Sequence, residues 1–236
     1  MKNQGGDIAN TIFETLKQEI LDLTIKPGEP LLEGSVCERF SASRTPVRTA
    51  FQRLSDANLI EIIPYKGACS TLLSMDHIKQ MIYMRCAIET NVVNDFIDEY
   101  DLFAIEDVEH HLRQQEILLS TPSFTSQDFY QADSKFHQLW FKRMHCEQLW
   151  EIIQKSEAHY TRFRMLDIVE MHMFRDIYQE HVQLAELIKG RDKSAVKGWM
   201  TNHLNGGIRR LGDKLSTDFA GFFVKDDEER FSAWAM

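Results

Sequence analysis

Residues 43–48 read Ser43-Arg44-Thr45-Pro46-Val47-Arg48. Ser43 can cap a helix, Pro46 is tolerated in a first turn, and Val47, Phe51, Leu54 and Ala57 recur on one helical face. The two arginines stand at i and i+4, so both project from one side near a helix N-terminus, where free backbone N–H groups already favour an anion. Arginine pairs bidentately with guanine O6 and N7, and Thr45 can meet a phosphate or a thymine methyl. The turn can therefore both position and read a DNA duplex. The same arginines could equally be solvated surface charges, and on their own the two readings weigh about the same.

The flanking sequence supplies a frame. Upstream, Ile8, Ile12, Leu16 and Ile20 predict a helix from about Asp7 to Leu23, stopped by Pro27-Gly28. A short helix capped by Ser35 fits Ser35 to Phe40, and Ser41-Ala42 connects it to the arginine-bearing helix. Downstream, Leu59 to Ile63 and Ala68 to Leu72 are strand candidates around turn residues Pro64 to Gly67. Helix, helix, short turn, helix and hairpin is the order of a winged helix-turn-helix. Lys66 and Gly67 would stand at the wing tip beside the duplex.

Charge at first argues the other way. The 236 residues carry 27 Lys and Arg against 36 Asp and Glu, a net of −9, which attracts neither nucleic acid nor anionic lipid. Residues 1–75 hold 8 basic and 9 acidic groups, a net of −1, which leaves 19 and 27, a net of −8, for the rest. From Arg39 to Lys66 there are 5 basic and 2 acidic groups, a net of +3. The acidity belongs to the second part of the chain. Met1 to Asp7 lacks an apolar signal core and no run of about 18 apolar residues occurs, so a cytoplasmic protein without a membrane span is expected. Cys37, Cys69, Cys86 and Cys146 are scattered and expected as free thiols.

After residue 74 the punctuation changes. Met75 to Leu215 contains one proline, Pro122, and apolar spacing predicts six or seven helices. Three regions are expected: a DNA-binding domain over 1–74, a helical domain over 75–215 and a tail over 216–236. In the first long helix Arg85 and Glu89 are i and i+4, either a simple ion pair or an arginine facing a cavity to hold a carboxylate. Asp133 and His137 share a helix face, and His181 and His203 lie on separate helical segments. Three imidazoles and a carboxylate suit zinc, nickel, manganese or iron, although such spacing more often arises without a site. An open metal could also activate water, which keeps a metalloenzyme in view, but no general base accompanies the set; a regulator whose metal is purely structural is the third reading. The other six histidines show no ligand spacing.

The run Ser43 to Arg48, followed by Leu54, Leu59-Ile60 and Lys66-Gly67 and preceded by Ile25-Lys26-Pro27-Gly28-Glu29-Pro30-Leu31, resembles the GntR family of bacterial transcription regulators. The likeness covers almost all of residues 7 to 72. It implies DNA contacts from Ser43, Arg44, Thr45 and Arg48, with Lys66 and Gly67 as the wing contact. Gly34-Ser35-Val36-Cys37 departs from the family's charged start of helix two, and Ala57-Asn58 from its usual glycine. Asp133 to Leu139, Glu180-His181 ahead of Leu184 and Ile188, Arg191-Asp192 and Met200 to Leu204 resemble, more loosely, the FCD effector domain of the FadR-type branch. This second likeness implies an antiparallel helical bundle with a divalent metal, zinc foremost, on Asp133, His137, His181 and His203. Arg85, Arg162 and Asn202 would then serve the effector; Arg164 is a neighbour able to face the same cavity.

The expectation is a mainly α transcription regulator that is not an enzyme. It would bind a pseudo-palindromic operator as a homodimer and respond to a small organic acid, with repression the favoured sign. The run Lys225 to Arg230 reads as a solvated tail, while Phe219, Phe222, Phe223 and Trp234 are able to pack on the bundle or a partner subunit.

Overall fold

Ile12, Leu16 and Ile20 are fully buried along one side of α1 (Gln4–Leu21), as a four-residue apolar repeat requires. The computed structural model describes residues 4–64, 67–99, 101–156 and 158–225. α1 packs on α3 (Arg44–Asp56), whose Val47, Ala50, Phe51 and Leu54 are buried. α2 (Glu33–Arg39) crosses the same helix, and Ser43 is the N-cap of α3 in extended conformation. α2 begins at Glu33, two residues before the expected Ser35 cap, and its N-cap is Leu32, with no side-chain cap hydrogen bond.

The wing is a three-stranded antiparallel sheet in the order β1-β3-β2. β2 (Ile60–Ile63) pairs with β3 (Gly67–Ser70) in the register Ile60 to Ser70 and Ile63 to Gly67. The added strand, β1 (Pro30–Leu31), pairs Pro30 with Cys69. It lies at an edge, where a proline without an N–H is tolerated. Lys66, the expected wing contact, lies outside the described residues.

By compactness the chain divides into residues 1–75 with 213–236, and residues 76–212. The expected helical domain runs to 215 and the expected tail over 216–236, with Phe219, Phe222 and Phe223 able to pack; Leu215, Phe219 and Phe223 are buried, and Phe223 forms a parallel bridge with Leu73. Trp234 and residues 226–230 of the charged run lie outside the described residues.

Among the described residues eight helices build the second part, against six or seven expected: α4 (Met75–Glu99), α5 (Leu102–Leu119), α6 (Ser126–Arg143), α7 (Glu147–Ser156), α8 (Ala158–Met171), α9 (Phe174–Lys189), α10 (Lys193–Leu204) and α11 (Gly206–Leu211). Polar caps set several starts. Asp101 accepts from the Ala104 N–H at 2.8 Å, and Thr125 and Asp128 form a reciprocal capping box. The core centres on α6, where Phe136 and Trp140 stack edge to face at 5.0 Å and Trp140 meets Phe96 at 5.4 Å. α6 packs on α5, α7 and α8, and α9 on α5 and α10. All four cysteines are free thiols, and no described helix is long and apolar enough to cross a membrane.

Candidate DNA-reading surface and metal centre

Ser43, Arg44, Thr45 and Arg48 are all exposed at the start of α3. The Arg48 Nε–H donates to both Glu33 oxygens, at 3.1 and 3.0 Å, and Arg44 Nε stands 3.8 Å from the same carboxylate. Glu33, at the first position of α2, thus aims both arginines. Its role comes from how α2 crosses α3, which leaves no trace in residue spacing. Gly67 opens β3 at φ +106°.

In the second part, three helices bring Asp133, His137, His181 and His203 together, all buried, with one ligand atom from each within 4.8 Å of the others. Asp133 and His137 come from α6, His181 from α9 and His203 from α10. The outward atoms of the cluster are engaged. His137 Nδ1 lies 2.5 Å from Glu89 Oε2, His181 Nδ1 2.8 Å from Gln115 Oε1, and His203 Nδ1 2.6 Å from Glu180 Oε2. Asp133 Oδ2 accepts from Arg164 Nη1 at 2.7 Å.

The outer partners of the three histidines are acceptors, so they select imidazoles with the proton on Nδ1 and a lone pair on Nε2. The lone pairs then face inward. His137 Nε2 and His203 Nε2 stand 3.1 Å apart, and His181 Nε2 is 3.5 Å from Asp133 Oδ1. His181 Nε2 and Asp133 Oδ1 are buried with no hydrogen-bond partner. Buried polar atoms without partners are costly, and two such atoms converging with two further imidazole nitrogens have the chemistry of a divalent-cation site. The residues present fit the metal.

Electrostatics agree. Burial disfavours the charged form of Asp133, yet the Arg164 guanidinium and His137 outweigh it and hold the carboxyl well below its ordinary range. Burial likewise opposes Glu89, but Arg85 and His137 bring it down to about 2. Burial pushes His181 well below the usual histidine value, and lowers His203 against the opposing pull of Glu180. Neutral imidazoles are the ligating form.

The expected effector residues are placed differently from one another. Arg85 is buried and spends its Nε–H on Glu89 at 2.6 Å, with its guanidinium over Tyr160 at 5.2 Å. Arg162 is also buried, its Nε–H donating to Ala158 O at 3.2 Å, and burial lowers it to about 10. Asn202 is exposed and accepts from Arg209 at 3.0 Å. A small pocket beside His203 is lined instead by Arg164, Arg210, Tyr160, Phe163, Asp167 and Gly207, among others. Arg210 grips Asp167 through Nε (3.1 Å) and Nη2 (2.6 Å), and its Nη1 lies 3.6 Å from Glu180. Gly207 permits the closeness of α11 and α8: a Cβ there would lie 3.0 Å from the Phe163 ring.

Residues 8–69 match the bacterial regulatory proteins of the gntR family, and residues 80–206 match the FCD domain. The chain belongs to the GntR family. It is similar to the HTH-type transcriptional repressor RspR of Escherichia coli K12, with 31% identity over 82% of this chain and 84% of the relative. It is also similar to the galactonate operon transcriptional repressor of the same organism, with 26% identity over 85% of this chain and 95% of the relative. The solved structure of E. coli McbR/YncC shares the fold, at a TM-score of 0.66 and 16% identity over 88% of this chain and 98% of that one. This GntR-family protein is thus a transcription regulator with a DNA-binding winged helix and an FCD domain, and not an enzyme.

Proposed function

We propose that the regulator is a repressor that binds a pseudo-palindromic operator as a homodimer in the cytoplasm. A divalent metal, zinc foremost, is held by Asp133, His137, His181 and His203, and a small organic acid binds beside it. The observation that carries the metal reading is the polarity of the cluster: the outward atom of each residue is paired, while two of the inward atoms, His181 Nε2 and Asp133 Oδ1, are buried with no hydrogen-bond partner. When bound, the ion supplies a Lewis-acid seat for an effector carboxylate.

The chain's own residues do the rest. Glu89, Gln115 and Glu180 hold the imidazole tautomers, and Arg164 fixes Asp133. Arg164 and Arg210 bring two guanidiniums to the pocket wall beside His203, which suits an anion. One relative is named for a galactonate operon, and galactonate is a hydroxy acid. Arg44 and Arg48 read the DNA grooves, with Ser43 and Thr45 on the backbone and Lys66 and Gly67 at the wing. The effector shifts DNA affinity by no more than its differential affinity for the two arrangements of the heads.

The test is a titration of operator DNA with the zinc-loaded protein and a panel of hydroxy acids and dicarboxylic acids. At least one acid should weaken binding by about 5- to 150-fold, and chelation should abolish its effect. If no acid shifts the zinc-loaded curve, the effector reading fails.

A further inference from the structure

Residues beyond 206 lie outside both family matches, as does the linker at Thr71–Ser74, and these two stretches meet. The chain leaves the bundle at Gly212, whose φ of +47° and ψ of −127° are open only to glycine. Two short 3-10 turns, Gly212–Leu215 and Ala220–Phe222, follow. Between them the Phe219 N–H donates to Lys214 O at 2.9 Å and the Thr217 N–H to Asp213 O at 3.1 Å. This path sets Phe223 beside Leu73. The Leu73 N–H donates to Phe222 O at 2.8 Å, and Leu73 O accepts the Val224 N–H at 3.0 Å. Both backbone polar groups of Leu73 are used. Its side chain is fully buried, and Phe223 is 2% exposed.

Leu73 stands in the four-residue connection between β3 and α4. At the wing end the Thr71 N–H donates to Leu59 O at 3.0 Å, and its hydroxyl to Asn58 O at 2.9 Å. The connection is therefore tied to the wing at one end and to the C-terminal segment at the other. α11, which precedes that segment in the chain, is itself held to α8 where Arg210 donates to Asp167. A connection with unsatisfied backbone groups would sample many conformations, and pairing removes that freedom.

We propose that residues 213–224 form a strap that positions the DNA-binding head by holding the wing-to-α4 connection in one extended geometry. Phe223 and Leu73 are its positioning residues, and neither need touch DNA. In a homodimer, a reading on which this consequence rests, a fixed connection restricts the separation at which two heads can meet two half-sites. The strap is thereby a determinant of half-site spacing.

The test compares the full chain with Phe223→Ala and with a chain ending at Gly212. DNA half-sites enriched from a random duplex pool by the full chain are presented singly, and as inverted pairs with spacers altered by two base pairs. Amide hydrogen exchange is followed over residues 71–75. The expected result for both variants is exchange at Leu73 faster by about tenfold or more, with α1–α3 unchanged. Single half-site affinity should stay within about twofold, while a spacing preference of about tenfold in the full chain falls to about twofold.

Unaltered exchange at Leu73 in both variants would overturn the proposal. So would loss of protection throughout α1–α3 together with single half-site affinity, because the strap would then be a plain structural part of the head. Sedimentation of the full chain as a monomer would sink the homodimer reading alone, and the exchange result would still decide whether the strap holds the connection.

Discussion

The recognition turn and the histidine cluster solve one problem, aiming nitrogen atoms with carboxylates, in opposite surroundings. Glu33 aims Arg44 and Arg48 at the surface, where the arginine side chains are 78% and 67% exposed. Glu89 aims His137 where almost no water reaches, and Glu180, itself 23% exposed, aims the buried His203. Exposed pairs of this kind contribute about 0–1 kcal/mol and weaken with salt. A buried charge that loses its partner costs several times more. The surface site can therefore re-aim its arginines on meeting DNA, whereas the buried site is fixed before any ligand arrives.

The largest effect should come from breaking the buried side. Asp133→Ala strands the Arg164 guanidinium, and urea unfolding should show a loss of about 3–5 kcal/mol; a loss below about 1 kcal/mol would mean that the cluster is not electrostatically tight. At the surface, Arg48→Ala should cost about 1–3 kcal/mol in specific DNA affinity and leave the unfolding curve within about 0.5 kcal/mol of the parent. Equal losses in binding and stability would erase the contrast.

Acid should also separate the two regions. His181 and His203 are lowered in the fold by burial, and Asp133 and Glu89 are lowered against burial by their cationic neighbours. A lowered group contributes stability above its unfolded value and loses it as pH falls. Without metal, the FCD domain should thus weaken below about pH 6.5 through its histidines, and again from about pH 4 towards 2 through its carboxylates. Chelated protein followed by tryptophan fluorescence across this range checks it, and a flat stability between pH 7 and 5 would contradict the histidine part. The smallest effect belongs to Glu33→Gln. It removes a negative charge near phosphates, so non-specific binding should tighten slightly, while specific affinity falls by up to about 1 kcal/mol because the arginines are no longer aimed.

Legibility followed the same division. The helix start at Ser43 to Arg48 was visible because its residues are contiguous and each type has a role at a helix start. The four residues of the buried cluster were visible too, but how they meet was not. Glu180 and His181 are neighbours in sequence, yet Glu180 serves His203, because adjacent helical residues point about 100° apart. Gln115 lies 66 positions from the histidine it orients, so only the packing of α5 on α9 connects them. Arg85 and Glu89 were legible as an i, i+4 pair, but not that Glu89 would pass the contact on to His137. At the wing, two residues of β1 carry too little pattern to announce a strand. The aromatic residues after 215 were conspicuous, whereas their partner, Leu73, is one leucine among many.

The divalent-metal site proposed at the four inward atoms can be read out by its metal content. Its most direct test is elemental analysis by plasma mass spectrometry of the full chain and His181→Ala, after loading with zinc, nickel or manganese and removal of loose ions. About one equivalent of at least one metal per chain should stay with the parent, and the variant should retain less than about a tenth of it. Parent protein that retains no metal, or a variant that retains as much as the parent, would contradict the account.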